Sequence, residues 1–323
     1  MRKIIYYKHI EQNKSSKLSF ISLALFVILI LFFGYSVLQR NKSNNEGFPL
    51  ISPVAKIINE TVSFINSRQN SKALESIIQN ILKNDKNYYG IVIDNLKTGE
   101  RYYFNEDKIF NSASLYKLWV MAVVYQKIEN GRISKTNILS ENVVDLNEKF
   151  NISTESAELT QGTITWPVQN ALQLMITISD NYSALLLAEK IGLVSISDFL
   201  KKYGLSESKA GNLYKDPVTS AQDAANFIRQ LYDGQLASSE NTLEMIDLLK
   251  NQQINTKLSK NLPKNTVIAH KTGELNGFSH DAGIVYSQKG DYIIVILSKT
   301  DHPLETNENI AEISREVYDY FIQ

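Results

Sequence analysis

The sequence predicts an α+β domain: an antiparallel sheet flanked by helices, plus an all-helical lobe, preceded by one N-terminal transmembrane helix. Three observations predict it. Strand-like apolar runs bounded by turn signals cluster at the two ends of the region after residue 71. Between them, from Leu115 to about Asn251, apolar residues recur at helical spacing. Ahead of both, Leu18–Leu38 carries no charged residue and is nearly all Leu, Ile, Phe and Val. A sheet closed by terminal segments, with helices inserted between them, fits this order.

The elements follow from local chemistry. A stretch of about 20 apolar residues at 1.5 Å per residue matches the ~30 Å hydrocarbon thickness of a bilayer. Arg2, Lys3, Lys8, Lys14 and Lys17 precede it against the single acid Glu11. Positive charge stays on the cytoplasmic side, so the rest of the chain is expected to face outward. Residues 1–17 then read as a cytoplasmic tail, 18–38 as the membrane helix, 39–71 as a linker or stalk and 72–323 as the folded domain. A cleaved signal peptide is the other reading of the apolar run, which is longer than the ~7–15 residues typical of one.

In the domain, Leu74, Ile77, Ile78, Ile81 and Leu82 predict a helix over Lys72–Leu82. Gly90–Asp94 and Glu100–Phe104 predict an antiparallel pair about a turn at Asn95–Gly99. Trp166-Pro167 and Asp216-Pro217 each place a proline near a helix start. At the far end, Thr266–Lys271, Gly283–Tyr286 and Tyr292–Leu297 read as strands, the last two joined at Lys289-Gly290. A helix over Asn309–Phe321 closes the chain, with Ile310, Ile313, Val317 and Phe321 on one side.

Composition excludes several functions. Lysine plus arginine equals aspartate plus glutamate, 34 against 34. No basic excess points to nucleic acid. The absence of cysteine removes disulfides, thiolate metal sites and cysteine nucleophiles. The four histidines, His9, His270, His280 and His302, form no close ligand pair. No metal, no cofactor and a monomeric state are expected.

Three short motifs carry chemistry. Ser114-Leu115-Tyr116-Lys117 opens an apolar helix, and residues three apart share a helical face. A serine hydroxyl becomes a nucleophile when a base takes its proton. A lysine amine serves as that base once burial or nearby cations lower its pKa. Alone, the quartet also reads as a serine N-cap with a solvated lysine. Ser179-Asp180-Asn181 lies between two helices and reads either as a turn or as a proton relay with a substrate-binding amide. Lys271-Thr272-Gly273 ends a strand, where ammonium and hydroxyl can meet a carboxylate and Gly273 admits a close approach. A polar hairpin end is the alternative there.

In this order, the three motifs resemble the signature of the penicillin-recognising serine hydrolases, specifically the class A β-lactamase-like branch. The resemblance covers roughly Lys72 to Gln323. It implies the β-lactamase/transpeptidase-like fold and a role for each matched residue. Ser114 would form the acyl-enzyme and Lys117 would act as base or relay. Ser179 would pass a proton to the leaving nitrogen, and Asn181 would orient substrate and Lys117. Lys271 and Thr272 would hold the substrate carboxylate. The N–H groups of Ser114 and Glu274 would form an oxyanion hole. His280, near the start of a strand after the third motif, is expected to add partial carboxylate binding.

One departure limits the analogy. The family's loop glutamate, which activates the deacylating water, has no Glu-x-x-x-Asn counterpart between the second and third motifs. The loop is expected to be short, with Glu207 as the nearby acid. The implied substrates are β-lactams or peptidoglycan peptides, the latter through a peptidase or esterase. A wall-fragment sensor that keeps the fold without turnover is a third reading.

Overall fold

The computed structural model describes residues 70–83, 85, 88–212 and 215–323, which fall within the compact unit Ser67–Gln323. The expected membrane helix at Leu18–Leu38 and the stalk up to residue 69 lie outside the described residues. Among the described residues no helix is long and apolar enough to cross a membrane.

A five-stranded antiparallel sheet forms the centre. Its strands are β1 (Tyr88–Asn95), β2 (Arg101–Phe104), β7 (Val267–Leu275), β8 (Phe278–Tyr286) and β9 (Tyr292–Lys299), in the spatial order β2-β1-β9-β8-β7. The Asn95 side chain accepts from the N–H groups of Lys97 and Thr98, and Gly99 at φ 74° turns the chain back into β2. β9 is buried on both faces from Tyr292 to Ser298. That burial explains its continuous apolar run where a half-exposed strand would alternate.

One face of the sheet carries α1 (Lys72–Leu82) and α9 (Pro303–Phe321), whose Leu74, Ile78, Ile310, Ile313 and Val317 share a core with Ile91, Ile294 and Ile296. The other face meets α7 (Ala221–Tyr232) and the helical lobe. The lobe is built around α2 (Tyr116–Glu129), which is buried continuously from Lys117 to Tyr125. Such an all-round apolar helix has neighbours on every side. These include α4 (Val168–Thr177), α5 (Asn181–Ile191), α6 (Leu193–Lys202) and α8 (Ser239–Lys250). Asp180, Ser220 and Ser238 cap α5, α7 and α8 by accepting from backbone N–H groups. Each cap contributes on the order of 1 kcal/mol.

The expected sheet and helical lobe are present, with three local corrections. β7 and β8 run past the predicted ends to meet at a two-residue connection, Asn276-Gly277, with Gly277 at φ 82°. Lys271-Thr272-Gly273 therefore lies inside a strand. Pro217 precedes a two-residue strand, β6 (Val218–Thr219), instead of opening a helix; β6 pairs with β3 (Phe110–Asn111). Finally, α9 begins six residues early because Pro303, suited to the first turn, starts it ahead of the apolar stripe. A short ribbon of β4 (Ile138–Asn142) and β5 (Thr163–Pro167) and the helix α3 (Val143–Lys149) complete the lobe.

Candidate active site

The three motifs converge at the junction of sheet and lobe. Ser114 sits half-buried in a 3-10 turn, Ala113–Leu115, that feeds α2. Three contacts fix this turn. Asn111 accepts from the Ala113 N–H at 2.9 Å, Ser112 N–H donates to the Pro217 carbonyl at 2.8 Å, and Leu115 N–H donates to the Ser112 carbonyl at 3.0 Å. On β7, a Cβ at Gly273 would lie 3.2–3.3 Å from Ser112 O, Ala113 Cβ and Leu115 Cγ. A glycine lets this strand press against the nucleophile turn.

Backbone strain gathers at the same place. Four described non-glycine residues have positive φ, and two of them are Ala113 at 44° and Ser179 at 61°. The other two are asparagines, which tolerate that region. Alanine and serine adopt it at a cost of order 1–3 kcal/mol when the surroundings over-determine them.

Lys117, one helical turn after Ser114, is fully buried. Its ammonium donates to the Ser179 carbonyl at 2.5 Å, the Asn181 Oδ1 at 2.7 Å and the Ser179 Oγ at 3.2 Å. Lys271, also fully buried, donates to the same Ser179 Oγ at 3.0 Å from β7 and to the Thr272 carbonyl at 2.9 Å. One hydroxyl thus bridges the two lysines. Burial pushes the Lys117 amine down to about 8, against smaller upward pulls from Asp180 and Glu158. Burial, then the proximity of Lys117, pushes Lys271 down to about 7.

His280 does not stand where a substrate carboxylate would be held. It is fully buried, and the Ser298 N–H donates to its Nδ1 at 3.1 Å. That contact needs a lone pair on Nδ1, so Nε2 carries the proton and donates to the Asn111 carbonyl at 2.8 Å. Burial lowers its pKa to about 4, keeping it neutral. The residue braces Asn111, which in turn holds the nucleophile turn. Glu207 is likewise remote: it lines neither the cavity beside Ser114 nor the neighbouring one, and its backbone faces Asp223.

Two residues that the motifs did not mark do reach the site. Glu158 accepts from the Asn181 Nδ2 at 2.6 Å. Lys257, fully buried, donates to Glu274 at 2.5 Å. Neither lies in a recognisable pattern; Lys257 stands in an irregular polar segment that reads as surface. A cavity of about 370 Å³ opens at Ser114, with Tyr116, Phe150, Ile152 and Leu185 among its apolar walls. Its described carboxylates, Glu158, Asp216 and Glu274, are all engaged: by Asn181, by Asn111 at 2.8 Å and by Lys257.

The β-lactamase enzyme family matches residues 73–321 of the chain. The chain belongs to the β-lactamase enzyme family. β-Lactamase VEB-1 of Pseudomonas aeruginosa is 25% identical over 81% of this chain and 94% of its own length. A β-lactamase of Bacteroides uniformis is 27% identical over 78% and 92%. In three dimensions the chain is similar to a β-lactamase from Sphaerobacter thermophilus (TM-score 0.68, 22% identity, 77% of this chain and 97% of that one). It is also similar to the protein PBP-A (TM-score 0.67, 23% identity, 78% and 96%). This family member has the β-lactamase-like α+β fold and is a hydrolase of the β-lactamase type.

Proposed function

We propose that the protein is a serine acyl hydrolase in which Ser114 is acylated by β-lactams or related amides and the acyl-enzyme turns over slowly. The observation that carries this reading is the Ser179 hydroxyl held between the two buried amines of Lys271 and of Lys117, one helical turn after Ser114. Neutral Lys117 takes the Ser114 proton as Oγ bonds to the carbonyl carbon. The N–H groups of Ser114 and Glu274 stabilise the oxyanion, a donor of this kind being worth roughly 3–4 kcal/mol. On collapse the C–N bond breaks, and Ser179 relays the proton to the leaving nitrogen. Asn181 orients the acyl portion, while Lys271 and Thr272 face the carboxylate.

Release of the acyl group needs a base aimed at water. The described carboxylates lining the cavity are each bound by another side chain, which favours a long-lived acyl-enzyme. A single-residue mutant of PBP-A has been solved as an acyl-enzyme complex with penicillin G, and that precedent on a similar fold supports the same chemistry here. A wall-peptide peptidase shares the acylation step and tolerates slow deacylation toward water. The apolar run Leu18–Leu38 and its basic flank support display outside the membrane. The full-length protein treated with benzylpenicillin, then freed of excess, should keep its adduct for hours by intact-mass spectrometry. Loss within seconds would mean an efficient lactamase, and no adduct with penicillin or simple esters would refute the proposal.

The pH dependence carries a sign. With its pKa at about 8, Lys117 is roughly one-tenth neutral at pH 7, against under a thousandth for an unperturbed amine. Acylation by an uncharged ester should therefore rise with pH through about 8 and level off. With benzylpenicillin the rate should turn down on the alkaline side, since Lys271 loses the charge that attracts a carboxylate. A flat profile between pH 6 and 9 for the ester would contradict Lys117 as the base.

A further inference from the structure

His280 is neutral, and the buried cation close to it is Lys257. This lysine is fully buried, and its electrostatic influence reaches Lys271, His280 and Asp281. Among the described residues, the one carboxylate within ion-pair distance is that of Glu274, whose side chain is 56% exposed. The pair is lopsided: the cation sits inside the protein while the anion reaches it from the cleft. A buried ammonium that loses its ion-pair partner is destabilising. The buried carboxylate of Asp281 also feels Lys257 but is engaged by His270 and the Leu258 N–H, so Glu274 is the anion that pairs it in the free protein. Glu274 reaches Lys257 from the strand position that follows Lys271-Thr272-Gly273, at the wall of the cavity that holds Ser114.

We propose that Glu274 is a specificity-determining residue that occupies, on Lys257, the place a substrate carboxylate would take. It thereby biases the site toward substrates that are uncharged on the leaving-group side. A free carboxylate entering beside Lys271 meets the Glu274 charge and must displace it to gain Lys257 as a partner. An ester or carboxamide does neither. Like charges brought together in a partly enclosed site discriminate between ligands even where attraction adds little affinity. The same strand residue thus has two separable parts, with its N–H facing the oxyanion and its carboxylate screening the cation. This inference rests on the reading that Ser114 is acylated.

The test compares acylation by benzylpenicillin with acylation by its methyl ester, using the full-length protein and intact-mass kinetics. The readout is the ratio of the two second-order rate constants. In Glu274→Gln the ratio should rise about fivefold, the upper scale of one partly exposed ion pair. Because Glu274→Gln removes the ion-pair partner of buried Lys257, a second variant guards against misfolding. Lys257→Met removes the buried charge and frees Glu274, so the ratio should fall by a similar factor. The penicillin should also raise the melting temperature of Glu274→Gln more than that of the wild type, by supplying the missing anion. A ratio within about twofold of wild type in both variants would overturn the assignment, the expected shift being larger than that margin. No adduct from either compound on the wild type would instead refute the acylation reading.

Discussion

Replacing Ser114 with alanine is expected to abolish covalent labelling by benzylpenicillin and to lower any hydrolysis at least ~10³-fold, since losing a serine nucleophile costs up to about 10⁶ in comparable sites. The substitution removes one half-buried oxygen from a 3-10 turn whose backbone is fixed by Asn111, Ser112 and Pro217. None of those contacts uses the Ser114 hydroxyl, so the fold and its melting temperature should be retained. Labelling that persists in Ser114→Ala would place the chemistry elsewhere, for example on the Ser179 hydroxyl between the two lysines.

Replacing Lys117 with methionine separates catalysis from stability. Methionine keeps the aliphatic stem inside α2 but removes the amine that burial holds near a pKa of 8. Acylation should fall by roughly 10²–10⁴, the usual contribution of a positioned general base. Stability should hold or rise, because a buried charge exchanged for an apolar group is often neutral or favourable. Three acceptor contacts at Ser179 and Asn181 are lost at the same time, which sets an upper limit on the gain. Stopped-flow acylation and thermal unfolding on one preparation check both halves. A variant that acylates within tenfold of wild type would show that Lys117 is not the base.

The site was legible in the sequence where chemistry is written in contiguous residues. Ser114, Lys117, Ser179, Asn181, Lys271 and Thr272 stand in three short motifs, and the motifs meet through the hydrogen bonds of Lys117, Ser179, Asn181 and Lys271 and the packing of Gly273 on the Ser112–Leu115 turn. What the motifs do not contain was illegible for physical reasons. The strands β7 and β8 looked short because polar residues such as Thr272, Glu274, Ser279 and Asp281 interrupt the apolar pattern, although their register is continuous to Leu275 and Phe278. Asn276-Gly277 carried a hairpin signal that the polar surroundings hid. His280 read as an available cation because a histidine near a strand start is usually exposed. Its burial depends on Asn111 and Ser298, far away in sequence. Lys257 and Glu158 come from segments without periodicity, and only the fold brings them to Glu274 and Asn181. The strained φ values at Ala113 and Ser179 are imposed by the packing around each motif and leave no mark in composition.

Acylation by this route forms one bond, at the Ser114 oxygen. Full-length protein should be treated with benzylpenicillin, digested with trypsin and sequenced by fragmentation mass spectrometry. Cleavage after Lys108 and Lys117 releases Ile109–Lys117, which contains both Ser112 and Ser114. The penicilloyl mass is expected on that peptide, with fragment ions placing it on Ser114. An adduct on Ser112, on Ser179 or on any lysine, with Ser114 unmodified, would contradict the account.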